Sequence, residues 1–169
     1  MVGNEWGSVF KDNSALQIMQ EGERAPPRLW VLIDADALVS LVKEDDINHN
    51  KVCKQIERLQ REPGAQFSRS VFTIAETATV LSHKVSHEAA KSFLIELPAI
   101  DIDVWPFNEK IQEEAHRWFL RQTTKGSSYF DCVNMALIEH YKLDYILSND
   151  AVYRKNGFPT VNDLLKLES

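Results

Sequence analysis

Residues 29–33 read LWVLI, an unbroken apolar run, and the chain then turns polar at once with Asp34 and Asp36. A strand with one wet face alternates, so a continuous run predicts a strand covered on both faces, as in a parallel sheet. Ala37 to Val42 reads as helix, and Val52, Ile56 and Leu59 recur at i, i+4, i+7, one helix face. Pro63-Gly64 marks a turn before a second strand within Gln66 to Phe72. Ile74, Ala78, Leu81 and Val85 predict a helix, and Ala89, Ala90, Phe93, Leu94 and Leu97 another. Ile100 to Trp105 alternates as a third strand. Two helices follow, on Ile111, Ala115, Trp118 and Phe119 and on Phe130, Val133, Leu137 and Tyr141. Asp144 to Ser148 is a fourth strand, Ala151 to Asn156 a short helix closed by Gly157, and Pro159 to Val161 an edge strand before a small last helix.

Strands separated by helices or helix pairs predict a three-layer α/β/α domain with a central, mainly parallel sheet of four to five strands. That domain spans about residues 28–169. Residues 1–27 are polar and end in Ala25-Pro26-Pro27, a stiff linker, so they read as an N-terminal extension, mobile or docked on a partner.

Composition narrows the class. The 169 residues are 44% hydrophobic and 26% charged, as in ordinary globular domains, and suffice for a sizeable core. No apolar stretch approaches the roughly 18 residues of a membrane span, and the N-terminus lacks the pattern of a secretory signal. Cys53 and Cys132 offer neither a disulfide framework nor zinc spacing, so a cytoplasmic protein with free thiols is expected. The net charge of −6, from 25 acids against 19 Lys and Arg, argues against sequence-independent duplex binding. It leaves room for a nucleic-acid enzyme whose acids hold cations.

In open parallel sheets ligands bind beyond the carboxyl ends of the strands. Asp34 follows the first strand. Glu76 sits in the first turn of the helix after the second. Asp150 lies just past the fourth, and Asp131 starts the helix leading into it. Side chains up to 116 positions apart, from Asp34 to Asp150, are thus expected at one edge. Each also fits a helix cap: Thr73-Ile-Ala-Glu76 has the capping-box pattern, Ser128-Tyr-Phe-Asp131 is a near variant, and Asp34, Asp36 or Asp150 suit N-cap positions. Taken together they are harder to explain as caps. Two carboxylates ~4 Å apart repel by roughly 4 kcal/mol at a surface-like dielectric, which hard divalent ions such as Mg²⁺ or Mn²⁺ relieve through oxygen ligands.

The four motifs VLIDADALVSLV, FTIAETATVLSHKV, SSYFDCVNMALIEH and YILSNDAVYRKNGF, in this order, resemble the PIN-domain family and, more narrowly, the VapC-type toxin ribonucleases, over about residues 29–158. The last has a serine two before its acid and an aromatic three after it, like the family's closing motif. The resemblance implies a metal-dependent endoribonuclease leaving 5′-phosphate and 3′-hydroxyl ends, the toxin of a type II toxin–antitoxin pair. It implies Asp34, Asp131 and Asp150 as ligands of Mg²⁺ or Mn²⁺, with Glu76 ligating or holding a metal-bound water. It also implies a role for Ser148 in positioning Asp150. Asp36 stands where the family often has Ser or Asn, and adds a fifth acid or caps the helix. Expected partners are an RNA substrate, an antitoxin inserting a basic segment into the acidic cleft, and a second copy in a homodimer. Arg69, Lys84, Lys125, Arg154 and Lys155 are RNA-contact candidates by nearness to the motifs, against the plainer reading of solvated charges.

Other readings account for less. The Asp34/Asp36 pair resembles the DxD of haloacid-dehalogenase-type phosphatases, but that leaves Glu76 and Asp131 without a role. An RNA-processing nuclease without an antitoxin, or a catalytically silent module using the same groove, keeps the fold with a different function. His49, His83, His87, His116 and His140 show no HExxH spacing and read as surface residues for the most part. Cys132, Trp118, Phe119 and Phe130 read as packing residues.

Overall fold

The computed structural model describes residues 28–99, 102–123 and 126–166. The expectations for residues 1–27 and for Lys125 lie outside them. In chain order the elements are β1 (Leu29–Ile33), α1 (Ala35–Val42), α2 (His49–Gln60), β2 (Ala65–Ser70), α3 (Thr73–Lys84), α4 (His87–Glu96), β3 (Asp103–Trp105), α5 (Glu109–Arg121), α6 (Tyr129–Tyr141), β4 (Tyr145–Leu147), α7 (Ala151–Lys155) and α8 (Val161–Lys166).

The sheet has four strands, ordered β3-β2-β1-β4, and every pairing is parallel. The apolar run of β1 is explained by its central place. Val31 and Ile33 enter one core, with Leu38, Leu41, Val52, Ile56, Leu81 and Phe93 from α1–α4. Leu32 enters the other, with Ile111, Ala115, Val133, Leu137 and Tyr153 from α5–α7. Successive side chains of a strand point to opposite faces, so a strand with a core on each side carries no polar position. The chain winds from β1 through β2 to β3, then crosses back to place β4 on the other side of β1. The reversal opens a crevice at the carboxyl ends of β1 and β4, the usual ligand position in such sheets.

The fifth strand is absent among the described residues. Thr160 keeps only an isolated parallel bridge to Ile146. Its backbone N–H and hydroxyl donate to Asp163, at 2.9 and 2.7 Å. That capping arrangement turns the chain into α8 and removes the donor a longer ladder would need. Phe119 and Phe130 also depart from expectation, being 46% and 39% exposed. Each still packs by one side of its ring, Phe119 against Tyr129, and Phe130, in the first turn of α6, against Phe72. Cys132 is buried, as expected, and burial pushes its thiol up to about 11, so it is no thiolate ligand.

Candidate active site

Asp34, Asp36, Glu76, Asp131 and Asp150 line one hollow of about 400 Å³, together with Gly126, Ser128 and Asn149. The sheet brings them there. Asp34 follows β1, Glu76 lies one turn into α3 after β2, and Asp150 starts α7 after β4. Asp131 starts α6, whose far end feeds β4.

Three of the acids are also caps. Asp34 Oδ1 accepts from the Ala35 N–H at 2.8 Å and starts α1. Asp150 Oδ1 accepts from the Val152 N–H at 2.8 Å and starts α7. Ser128 and Asp131 form a reciprocal capping box, with the Asp131 N–H donating to Ser128 Oγ and the Ser128 N–H to Asp131 Oδ2. Glu76 differs. The capping box expected from Thr73 to Glu76 does not form, because Phe72 is the N-cap and Thr73 pairs with Ser70. The Glu76 carboxylate is therefore released from helix capping and remains on the hollow.

Asp34 is the fixed point. It is 5% exposed, and four donors occupy its two oxygens. Ala35 N and Asn134 Nδ2 (3.0 Å) donate to Oδ1; Ser148 Oγ (3.2 Å) and Tyr153 OH (2.9 Å) donate to Oδ2. Tyr153 OH also lies 3.2 Å from Asp131 Oδ1, and accepts from Asn134 Nδ2 at 3.0 Å. One buried hydroxyl thus ties two of the acids together. Ser148, expected to position Asp150, accepts the Asp150 N–H on its Oγ at 3.0 Å and donates to Asp34 Oδ2 at 3.2 Å. Asp36 is the fifth acid, not a cap. Its Oδ2 accepts from the Asn149 N–H at 2.7 Å, its buried Oδ1 has no hydrogen bond of good geometry, and the Ser148 hydroxyl and Ala37 N–H lie close enough to the carboxylate to offset part of its burial.

Asn134 and Tyr153 were not singled out from sequence for this work. Asn134 carried a signal: it is the polar break in a buried apolar run, one helical turn after Asp131. Tyr153 was noted only as the aromatic of the closing motif.

The electrostatics follow from this crowding. Burial pushes the Asp34 carboxyl well above the usual range, and Asp36 and Asp131 push it further. Burial likewise raises Asp36. For Glu76 burial comes first, then the charges of Asp131 and Asp36. For Asp131 burial outweighs the Ser128 hydrogen bonds. Among the described residues no Lys or Arg pairs with any of the five acids.

The donors suit a hard divalent cation. They are all oxygens, one of them (Asp36 Oδ1) is buried without a hydrogen bond of good geometry, and among the described residues none of the five acids has a salt-bridge partner. Among the described residues no group of three or more His, Cys, Asp or Glu side chains stands in a geometry that could hold a metal ion. An ion here would be held by one or two carboxylates and keep several of its waters, as Mg²⁺ does.

The expected RNA contacts are dispersed. Arg69 is half-buried in β2 and donates to the Ser70 carbonyl at 3.3 Å. Lys84 ends α3, eight residues from Glu76 and so about 12 Å along the axis. Arg154 faces Asp163 at 3.7 Å. Lys155 lines a neighbouring hollow. Lys51, not anticipated, donates to Asn149 Oδ1 at 2.9 Å beside the acids.

The PIN domain family model matches residues 31–159, and the chain belongs to that family. Two solved structures share the fold. VapC20 of Mycobacterium tuberculosis, described as a sarcin–ricin loop cleaving toxin, is 18% identical, with a TM-score of 0.65 over 76% of this chain and 95% of its own. VapBC2 of Rickettsia felis, bound to a DNA fragment from its promoter, is 12% identical, with a TM-score of 0.53 over 76% of this chain and 92% of its own. No curated protein matches by sequence.

Proposed function

We propose that this protein is a divalent-metal-dependent endoribonuclease of the VapC kind, the toxin of a toxin–antitoxin pair. The observation that carries the reading is the hollow itself: five carboxylates that among the described residues have no salt-bridge partner. Membership of the PIN family and the VapC character of both structural neighbours support it. Residues 28–169 are assigned as the nuclease unit and 1–27 as an extension to it. A cytoplasmic location accords with an RNA substrate, and among the described residues no helix is long and apolar enough to cross a membrane.

Asp34, Asp36, Asp131 and Asp150 would hold Mg²⁺ or Mn²⁺. The ion would supply a water activated near neutral pH and positive charge for the phosphate. The chain's residues do the rest. The four donors on Asp34 fix its carboxylate before any ligand arrives. Tyr153 keeps Asp131 in register with Asp34. Glu76, which accepts no hydrogen bond among the described residues, would accept a proton from a water or hold a bound water. The acidic hollow also suits a basic segment of an antitoxin, which would offset the same charge.

The test is cleavage of a mixed single-stranded RNA pool, with Mg²⁺ or Mn²⁺ and with chelator. The reading expects cleavage only with the ion and none by Asp131→Asn. Equal products under chelation would contradict it, and so would intact RNA under every divalent ion. RNA that stays intact yet binds tightly with Mn²⁺ would favour the silent module instead.

A further inference from the structure

A second hollow, of about 240 Å³, adjoins the acidic one and shares Gly126 and Asp150 with it. Across that shared wall the charge reverses. Among the described residues Asp150 is the one acid of the second hollow, and the other charged lining residues are Arg121 and Lys155. Arg121 ends α5 and Lys155 ends α7. Cations at helix ends are favourable to the macrodipole, which is the ordinary explanation for either alone. Two features go beyond it. First, among the described residues neither has a salt-bridge partner; Arg121 instead lies over the Trp118 ring, 5.3 Å from its centroid, which restrains the guanidinium. Second, the floor is built. Gln122 Nε2 donates to Asn156 Oδ1 at 3.2 Å, and Ser127 Oγ donates to Gln122 Oε1 at 3.0 Å. Gly126, at φ +126°, stands between the hollows, and a Cβ there would meet nothing within 4 Å.

We propose that Arg121 and Lys155 form a phosphate subsite that holds the nucleotide next to the cleaved bond of a single-stranded nucleic acid. The proposal rests on the nuclease reading for which phosphate is cleaved, but not for the existence of the subsite. A strand carries one phosphate per nucleotide, so one lying over the acids presents the next to the cations. Arg gives planar, paired donors for phosphate oxygens and Lys a mobile point charge. Asp150, on the shared wall, repels a phosphate less once a cation shares its charge. Strand binding and ion binding should therefore support one another.

The experiment measures binding of a fluorescently labelled single-stranded RNA to the full chain by anisotropy, in chelator, over a range of salt. Arg121→Ala/Lys155→Ala is compared with wild type and with Lys91→Ala/Lys110→Ala, which removes the same charge from exposed positions elsewhere. The subsite double variant should bind at least about tenfold more weakly at low salt, as expected for lost charge-assisted hydrogen bonds. Its log K against log salt slope should be shallower by about 0.7, the value for one single-strand phosphate. The control pair should stay near wild type. Equal behaviour of the two double variants, or no binding by wild type, overturns the proposal. If the subsite double variant fails to fold, Lys155→Ala alone is read in the same way. Cleavage with Mg²⁺ is scored separately. Cleavage with an unchanged slope removes the subsite and keeps the nuclease. The predicted slope change without cleavage keeps the subsite and removes the nuclease.

Discussion

The two sides of the acidic hollow are built differently. On the β1/β4 side Asp34 is almost wholly buried and held by four hydrogen bonds, two of them from Asn134 and Tyr153 on separate helices. On the α3 side Glu76 is partly buried and, among the described residues, accepts no hydrogen bond. Both feel burial and like charge, and both have raised pKa values. The difference lies in what each can do about it. Asp34 cannot move without breaking a network; Glu76 can turn to meet whatever enters. A preorganised anchor faces an arm without hydrogen bonds, and on both sides burial and like charge make an ionised carboxylate costly without a cation.

The largest effect should follow from breaking the anchor. Asp34→Asn should lower RNA cleavage by more than the ~10–100-fold typical of an outer-shell partner, measured as kcat/KM with Mg²⁺. Tyr153→Phe comes next. It removes the one hydroxyl joining Asp34 to Asp131 and leaves an Asn134 hydrogen unpaired. We expect about 10–100-fold lower activity and a loss of about 1–3 kcal/mol in urea unfolding. An unchanged Tyr153→Phe would mean that the anchor is set by the backbone alone.

The third effect is in pH. Asp34, Asp36, Glu76 and Asp131 all have folded pKa values above their ordinary ones. Between the unfolded and folded pKa the native state binds more protons than the unfolded chain, so stability falls as pH rises through that window. In chelator the melting temperature should decline from just above pH 4 toward neutral. Added Mn²⁺ should flatten the decline, because an ion that binds only the folded state stabilises it. The smallest effect should be Glu76→Gln without metal. With no hydrogen bond to lose and one repulsive charge removed, its stability should equal wild type or exceed it slightly at pH 7. A clear loss would show that the arm is fixed after all.

Much of this was legible in the residues. The order of strands and helices follows from period and punctuation, and the meeting of Asp34, Glu76, Asp131 and Asp150 follows from the rule for open sheets. What was not legible has physical reasons. Pro159 to Val161 reads as a strand, but the Asp163 side chain takes the Thr160 donor, and a local capping bond of that kind is invisible to hydrophobic pattern. The Thr73–Glu76 box matches by spacing, yet Ser70 competes for Thr73 from outside the motif. Asn134 and Tyr153 act through contacts 100 or more residues from Asp34. The cation hollow depends on two helices ending side by side, which sequence spacing does not report; hence Arg121 went unnoticed while Lys155 was named for a weaker reason.

The central claim is that the acidic hollow exists to hold a divalent ion. Calorimetric titration of the full chain with Mn²⁺ at pH 7 tests it most directly, alongside Asp36→Asn/Asp131→Asn. The account predicts saturable binding by the wild type, at one or two ions per chain on the general two-metal pattern, and loss of that binding in the double variant. Absence of saturable binding, or binding that survives the double substitution unchanged, would contradict it.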